Sequence, residues 1–177
     1  MTTNLKTTIL SLVSAAAVLG QGALLAQDSS LDMDVSGYID PRCEFTRFSA
    51  SELDFSAQDS GTLSFELYCN LAMSVTLESR NGAMLHEQLS GRLGRSAEYE
   101  RVYDAVLSLA EGGFSWETNS IEMQDGAVFS TGDAVVFDTS GKLDITLREP
   151  IAGLKSHAGS YDDTISITLS PSLAAIN

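Results

Sequence analysis

The chain has 177 residues, 44% of them hydrophobic, which suits one domain with a sizeable core and not an acidic disordered tail. Ten basic residues against 24 acidic ones give a net charge of −14. That argues against a nucleic-acid binder, which needs a basic face for phosphates, and against electrostatic docking on anionic lipid.

Residues 1–26 read as a signal peptide. Lys6 lies in a polar start, an apolar run extends from Ile9 to Leu19, and small residues lead to Ala26. The other reading, an N-terminal anchor, is disfavoured because the run is shorter than the roughly 20 residues a span requires. No later segment has such a run, so the expected product is exported and is not inserted in a membrane after processing.

After the leader, Leu31, Met33, Val35, Gly37 and Ile39 alternate with Asp32, Asp34, Ser36 and Tyr38. One face is apolar, and the glycine on it marks a close backbone approach or a missing side chain. The segment is either the first strand of the chain's own sandwich or a strand donated to a neighbouring subunit. Chain order favours donation. The segment runs straight into Cys43, where a complete strand begins, and the chain ends soon after its last strand. A sandwich that stops there lacks its final strand and exposes a groove.

Cys43 and Cys69 are the two cysteines, and an even count in an exported chain reads as one disulfide. Closing that loop contributes about 3–4 kcal/mol on the chain-entropy model.

From there the pattern is β almost throughout, with Gly, Asn, Asp and Ser at the breaks. Period-2 alternation places Leu63, Phe65, Leu67 and Cys69 on one face, then Met73, Val75 and Leu77, with Asn81 and Gly82 forming a turn. Residues 86–98 read as a polar loop and 99–110 as a strand. Residues 111–133 are expected to hold a hairpin and loops. Leu143, Ile145 and Leu147 alternate in a further strand. Residues 161–169 form the expected last core strand, with Ile165, Ile167 and Leu169 inward and bordering the groove. Asp163 shares their parity and is expected to face inward, its carboxylate satisfied by backbone donors. The fold class is therefore an all-β sandwich.

Three stretches resemble subunits of chaperone–usher pili, especially the spore coat protein U-type pilin domain. They are Gly37 to Cys43; Phe65 to Asn70 with Val75 to Gly82; and the closing run Gly159-Ser-Tyr161-Asp-Asp163-Thr164 through Pro171, which looks like the Gly-x-Tyr-x-Asp-Thr ending of these subunits. The resemblance implies an immunoglobulin-like β-sandwich that lacks its last strand and is completed by donor-strand exchange. It implies a periplasmic chaperone, an outer-membrane usher and other pilin subunits as partners, and a fibre at the cell surface. Leu31, Met33, Val35 and Ile39 would be the inserted side chains, with Gly37 at the glycine position, and Cys43–Cys69 the bridge of the fold. The end of the chain departs from the pattern, since Ile176 stands where many pilins carry an aromatic. Residues 86–142 carry no matching motif.

On this reading residues 1–26 are leader, 27–40 a donor-strand extension and 41–177 the incomplete domain. The function is that of a structural pilus subunit in adhesion or biofilm formation. The alternative is a self-contained secreted sandwich that binds glycans or forms a coat.

An enzyme is not expected. His86 and His157 both fall in predicted loops and neither has metal-ligand spacing. Asp162 and Asp163 point to opposite faces of a strand and cannot flank one bond. No phosphate-binding glycine loop or calcium loop is present, so no cofactor or metal is implied.

Overall fold

The structure is a computed structural model that describes residues 33–150 and 156–172. The leader, Leu31 and residues 173–177 lie outside the described residues.

The domain that follows Tyr38 is built from antiparallel strands. The first layer contains β1 (Cys43–Phe48), β2 (Ser60–Cys69), β6 (Tyr103–Leu109), β7 (Phe114–Asn119) and β9 (Thr139–Leu147), in the order β1-β2-β9-β6-β7. The second contains β3 (Ala72–Ser79), β8 (Ala127–Val135) and β11 (Ile165–Pro171), in the order β11-β3-β8. A small third sheet joins β4 (Met84–His86), β5 (Glu100–Arg101) and β10 (Tyr161–Asp162) in the order β10-β4-β5.

Alternation explains the layers. Phe65 and Leu67 of β2, Tyr103, Ala105 and Leu107 of β6, and Leu143 and Ile145 of β9 are buried on the inner face of the first sheet. Met73, Val75 and Leu77 of β3 are buried opposite them. These side chains form one core between two faces that each present every second residue. Each fully buried aliphatic side chain stabilises the fold by about 1.5–3 kcal/mol relative to exposure. The strand order β1-β2-β9-β6 matches the A-B-E-D sheet of an immunoglobulin-like sandwich, and β11-β3 matches F-C of the second sheet.

Local detail departs from the sequence reading in three places. The expected strand over 161–169 is divided: Tyr161 and Asp162 pair with β4, and β11 begins at Ile165 and pairs with β3. The intervening Asp163 spends its carboxylate on hydrogen bonds and turns the chain from one sheet to the other. His86 is not in a loop but ends β4 and is buried, and the helical turn α1 (Ser90–Leu93) follows it. Residues 111–133 hold β7, the helical turn α2 (Ser120–Met123) and most of β8. β7 forms a hairpin with β6, whereas β8 crosses to pair with β3.

Candidate functional site: an open sandwich edge

The site starts with two edge strands. β1 ends the first sheet and β11 ends the second, and they face each other. No described strand pairs with the second side of β11, where the immunoglobulin order has strand G.

β1 is held to β2 by register and by a covalent bond. Cys43 lies directly opposite Cys69, and the two are joined as a disulfide. Asn70 extends the pairing past the bridge. Its side chain accepts from the Arg42 N–H at 2.7 Å and donates to the Asp40 carbonyl at 2.8 Å, so the chain is pinned where the domain begins. A β-bulge between Phe45 and Arg47 then changes the side-chain parity of β1. Phe45 pairs with Leu67 and Phe48 with Phe65, so both phenylalanines share the inner face. Phe45 touches both Phe48 and Phe65, with ring centroids 4.9 and 5.4 Å away. Phe48 remains 49% exposed at the margin of the core.

β11 supplies the other wall. Ile165, Ile167 and Leu169 pack against the core but are only half-buried, because among the described residues no strand covers their free side. A cavity of about 340 Å³ opens at the Ile165 end, lined by Leu53, Phe55, Leu63, Leu143, Ile145 and Ile167 and, on its polar side, by Asp162 to Thr164. Leu53 and Phe55 were not singled out from the sequence; their spacing of two in an otherwise polar loop was the signal.

The closing motif holds this wall in place. The Asp163 carboxylate accepts hydrogen bonds from Ser79 Oγ at 2.5 Å, Tyr103 OH at 2.7 Å, Thr164 N–H at 2.8 Å and Asn81 N–H at 3.1 Å. Tyr103 belongs to the first sheet and Ser79 to the second, so one carboxylate ties the start of β11 to both layers. Burial, and then the Asp163 hydrogen bond, push the Tyr103 phenol well above its ordinary 10.0. Gly159 lies at φ 153°, and a Cβ there would stand 2.3 Å from His86 Nε2. The His86 ring accepts from Gln88 N–H at Nδ1, and its Nε2 lies 3.2 Å from the Ala158 carbonyl. Tyr161 meets the same ring edge-on at 5.0 Å. The glycine, tyrosine and aspartate of the motif thus each have a packing reason.

The described part of the N-terminal segment, residues 33–38, has no secondary structure. Met33 is 75% and Val35 88% exposed, Ile39 is also exposed, and nothing lies within 4 Å of a Cβ built on Gly37. Among the described residues no group of three or more His, Cys, Asp and Glu is placed to hold a metal ion.

No protein-family model and no curated protein matches the chain. Among solved structures it is similar to a chaperone–tip adhesion subunit pre-assembly complex from archaic chaperone–usher Csu pili of Acinetobacter baumannii. That match has 17% identity over 74% of this chain and 40% of that one, with a TM-score of 0.39. A second is a chaperone–tip adhesin complex of CFA/I fimbriae biogenesis, with 14% identity over 76% and 43% and a TM-score of 0.34. The chain therefore spans about two fifths of the length of each.

Proposed function

We propose that the chain is a structural, non-catalytic subunit of an extracellular fibre of the chaperone–usher type, acting in adhesion or biofilm formation. Residues 1–26 direct export and are removed. Residues 27–40 are a donor strand, and 41–177 form a sandwich that accepts the same strand from a neighbouring subunit between β1 and β11. During export a periplasmic chaperone covers the groove, and an outer-membrane usher passes the subunit to the growing fibre.

The observation that carries this reading is the free edge of β11, whose three apolar side chains stand half-covered beside a cavity that Leu63, Leu143 and Ile145 also line. The segment that complements it is on the same chain. An incoming Leu31, Met33, Val35 and Ile39 would bring every second residue into the groove, and their burial is worth about 6–12 kcal/mol as an upper limit. Ordering the free segment offsets part of that gain. Main-chain pairing along β11 adds to it and slows dissociation.

Electrophoresis of unheated samples tests the reading. The mature chain is expected to give a ladder of multimers, and deletion of residues 27–38 to abolish it while the domain still folds with a strand peptide supplied in trans. A ladder that survives the deletion would refute assembly through this segment. A stable monomer in both cases would favour a self-contained secreted sandwich.

A further inference from the structure

The connection from β1 to β2, residues 49–59, lines the cavity beside Ile165 and Ile167 through Leu53 and Phe55. It is tied at its ends: Ser49 N–H donates to the Ser64 carbonyl at 2.8 Å, and Leu147 N–H donates to the Asp59 carbonyl at 2.7 Å. Among the described residues, no main-chain to main-chain hydrogen bond ties 50–58 to either sheet. The Ser56 N–H bond to the Asp54 carboxylate, 2.8 Å, is local. What holds the middle of the segment is side-chain burial. Leu53 and Phe55 are half-buried against the core, whereas Glu52 and Asp54 are exposed. The Phe55 ring lies over Gly61, 3.3 Å from where a Cβ would stand.

The position is informative. β1 ends at Phe48, opposite Phe65, so the first residues of β2 have no strand beside them on that side. Leu53 and Phe55 lie against Gly61 of that stretch and line the cavity together with Leu63, Ile165 and Ile167. The sequence is informative too. Glu52-Leu53-Asp54-Phe55 repeats the acidic–apolar alternation of Asp32-Met33-Asp34-Val35. Extended chain with this pattern offers two apolar side chains to one face and two carboxylates to water.

We propose that residues 50–58 are an internal strap that occupies the chain's own groove with Leu53 and Phe55, in imitation of the donor segment, and yields it when a strand from another subunit enters. The inference rests on the groove reading given above. The strap shields the apolar wall of the cavity before assembly, and it is displaceable because side-chain burial holds it and a hydrogen-bonded ladder does not.

The test uses the full mature chain carrying Val35→Asp, so that its own segment does not compete, and a synthetic peptide of residues 31–39. Adding Leu53→Ser and Phe55→Ser is expected to raise the peptide association rate at least tenfold and to leave the dissociation rate unchanged. An unchanged association rate, or an effect confined to faster dissociation, overturns the strap, the latter because it describes a clamp over the bound strand. Hydrogen exchange without those two substitutions covers the case in which they prevent folding. Amides of 50–58 are expected to exchange at least tenfold faster once the peptide is bound, and unchanged or slower exchange overturns the proposal. A peptide that binds neither protein overturns the groove reading itself, a different result from equal binding to both.

Discussion

Of the two edges of this sandwich, one is closed by side chains and the other is open. On one side β7 and β8 face each other, and stacked rings bridge them: Phe114 on Trp116 at 5.3 Å, and Trp116 on Phe129 at 5.7 Å. The turn α2 seals the same side from within, with Met123 and Ser120 fully buried. On the other side β1 and β11 face each other with aliphatic side chains half-exposed between them and a cavity at one end. β3 and β11 make the contrast sharp, because they are neighbours with the same alternation. Met73, Val75 and Leu77 are at most 1% exposed, whereas Ile165, Ile167 and Leu169 are only half-buried. A residue's parity decides which face it joins. Whether that face is covered depends on what lies on the far side of the strand.

The largest expected effect is at the pin that holds the open edge. Asp163→Ala removes the acceptor for four donors, among them the buried Tyr103 and Ser79, and is expected to cost about 3–5 kcal/mol. Hydrogen exchange should then rise in β11 well before β7 or β8; equal acceleration at both edges would show that the pin is not specific to one. Replacing Cys43 and Cys69 with Ala loosens β1 on the same side, and chemical denaturation should report a loss of about 2–5 kcal/mol. Trp116→Ala attacks the sealed edge by removing the middle ring of the stack. A loss of about 3 kcal/mol is expected, and it should be the same with or without a bound strand peptide.

Ile167→Ala sharpens the comparison further. In the strand-free chain it is expected to cost about 1 kcal/mol, since the side chain is already half in water. With a peptide of residues 31–39 bound, the loss should grow to 2 kcal/mol or more, close to that of a core position. A loss that does not change on adding peptide would mean that the groove is not where the strand goes.

The smallest effect is a pH dependence. The folded state holds the Tyr103 proton more tightly than the unfolded chain, so the contribution of Tyr103 to stability is fully present below pH 10 and falls as pH rises above it. Thermal melts between pH 9 and 11 should show this slope, and Tyr103→Phe should flatten it.

Much of the fold was legible in the sequence because sheet faces follow a period of two. Alternation gave the strands around Phe65, Val75, Ile145 and Ile167 and the inward parity of Cys69 and Asp163. It was silent where a strand is too short to alternate, as at β4, so His86 read as a loop residue although it is buried. It also missed the bulge at Thr46, since one inserted residue changes parity without any mark in the composition.

Composition and alternation alone established an acidic, all-β chain with two cysteines and an apolar-faced segment ahead of the first of them. Those properties are local: a charge count and a repeat of two can be read without knowing what touches what. The three-dimensional arrangement was needed to see that β11 lies on an edge, that Tyr103 and Ser79 converge on Asp163, and that Leu53 and Phe55 line the cavity beside Ile165 and Ile167. The Asp163 bonds to Ser79 and Tyr103 span 84 and 60 residues of chain, and side-chain hydrogen bonds between sheets leave no periodic trace in the sequence.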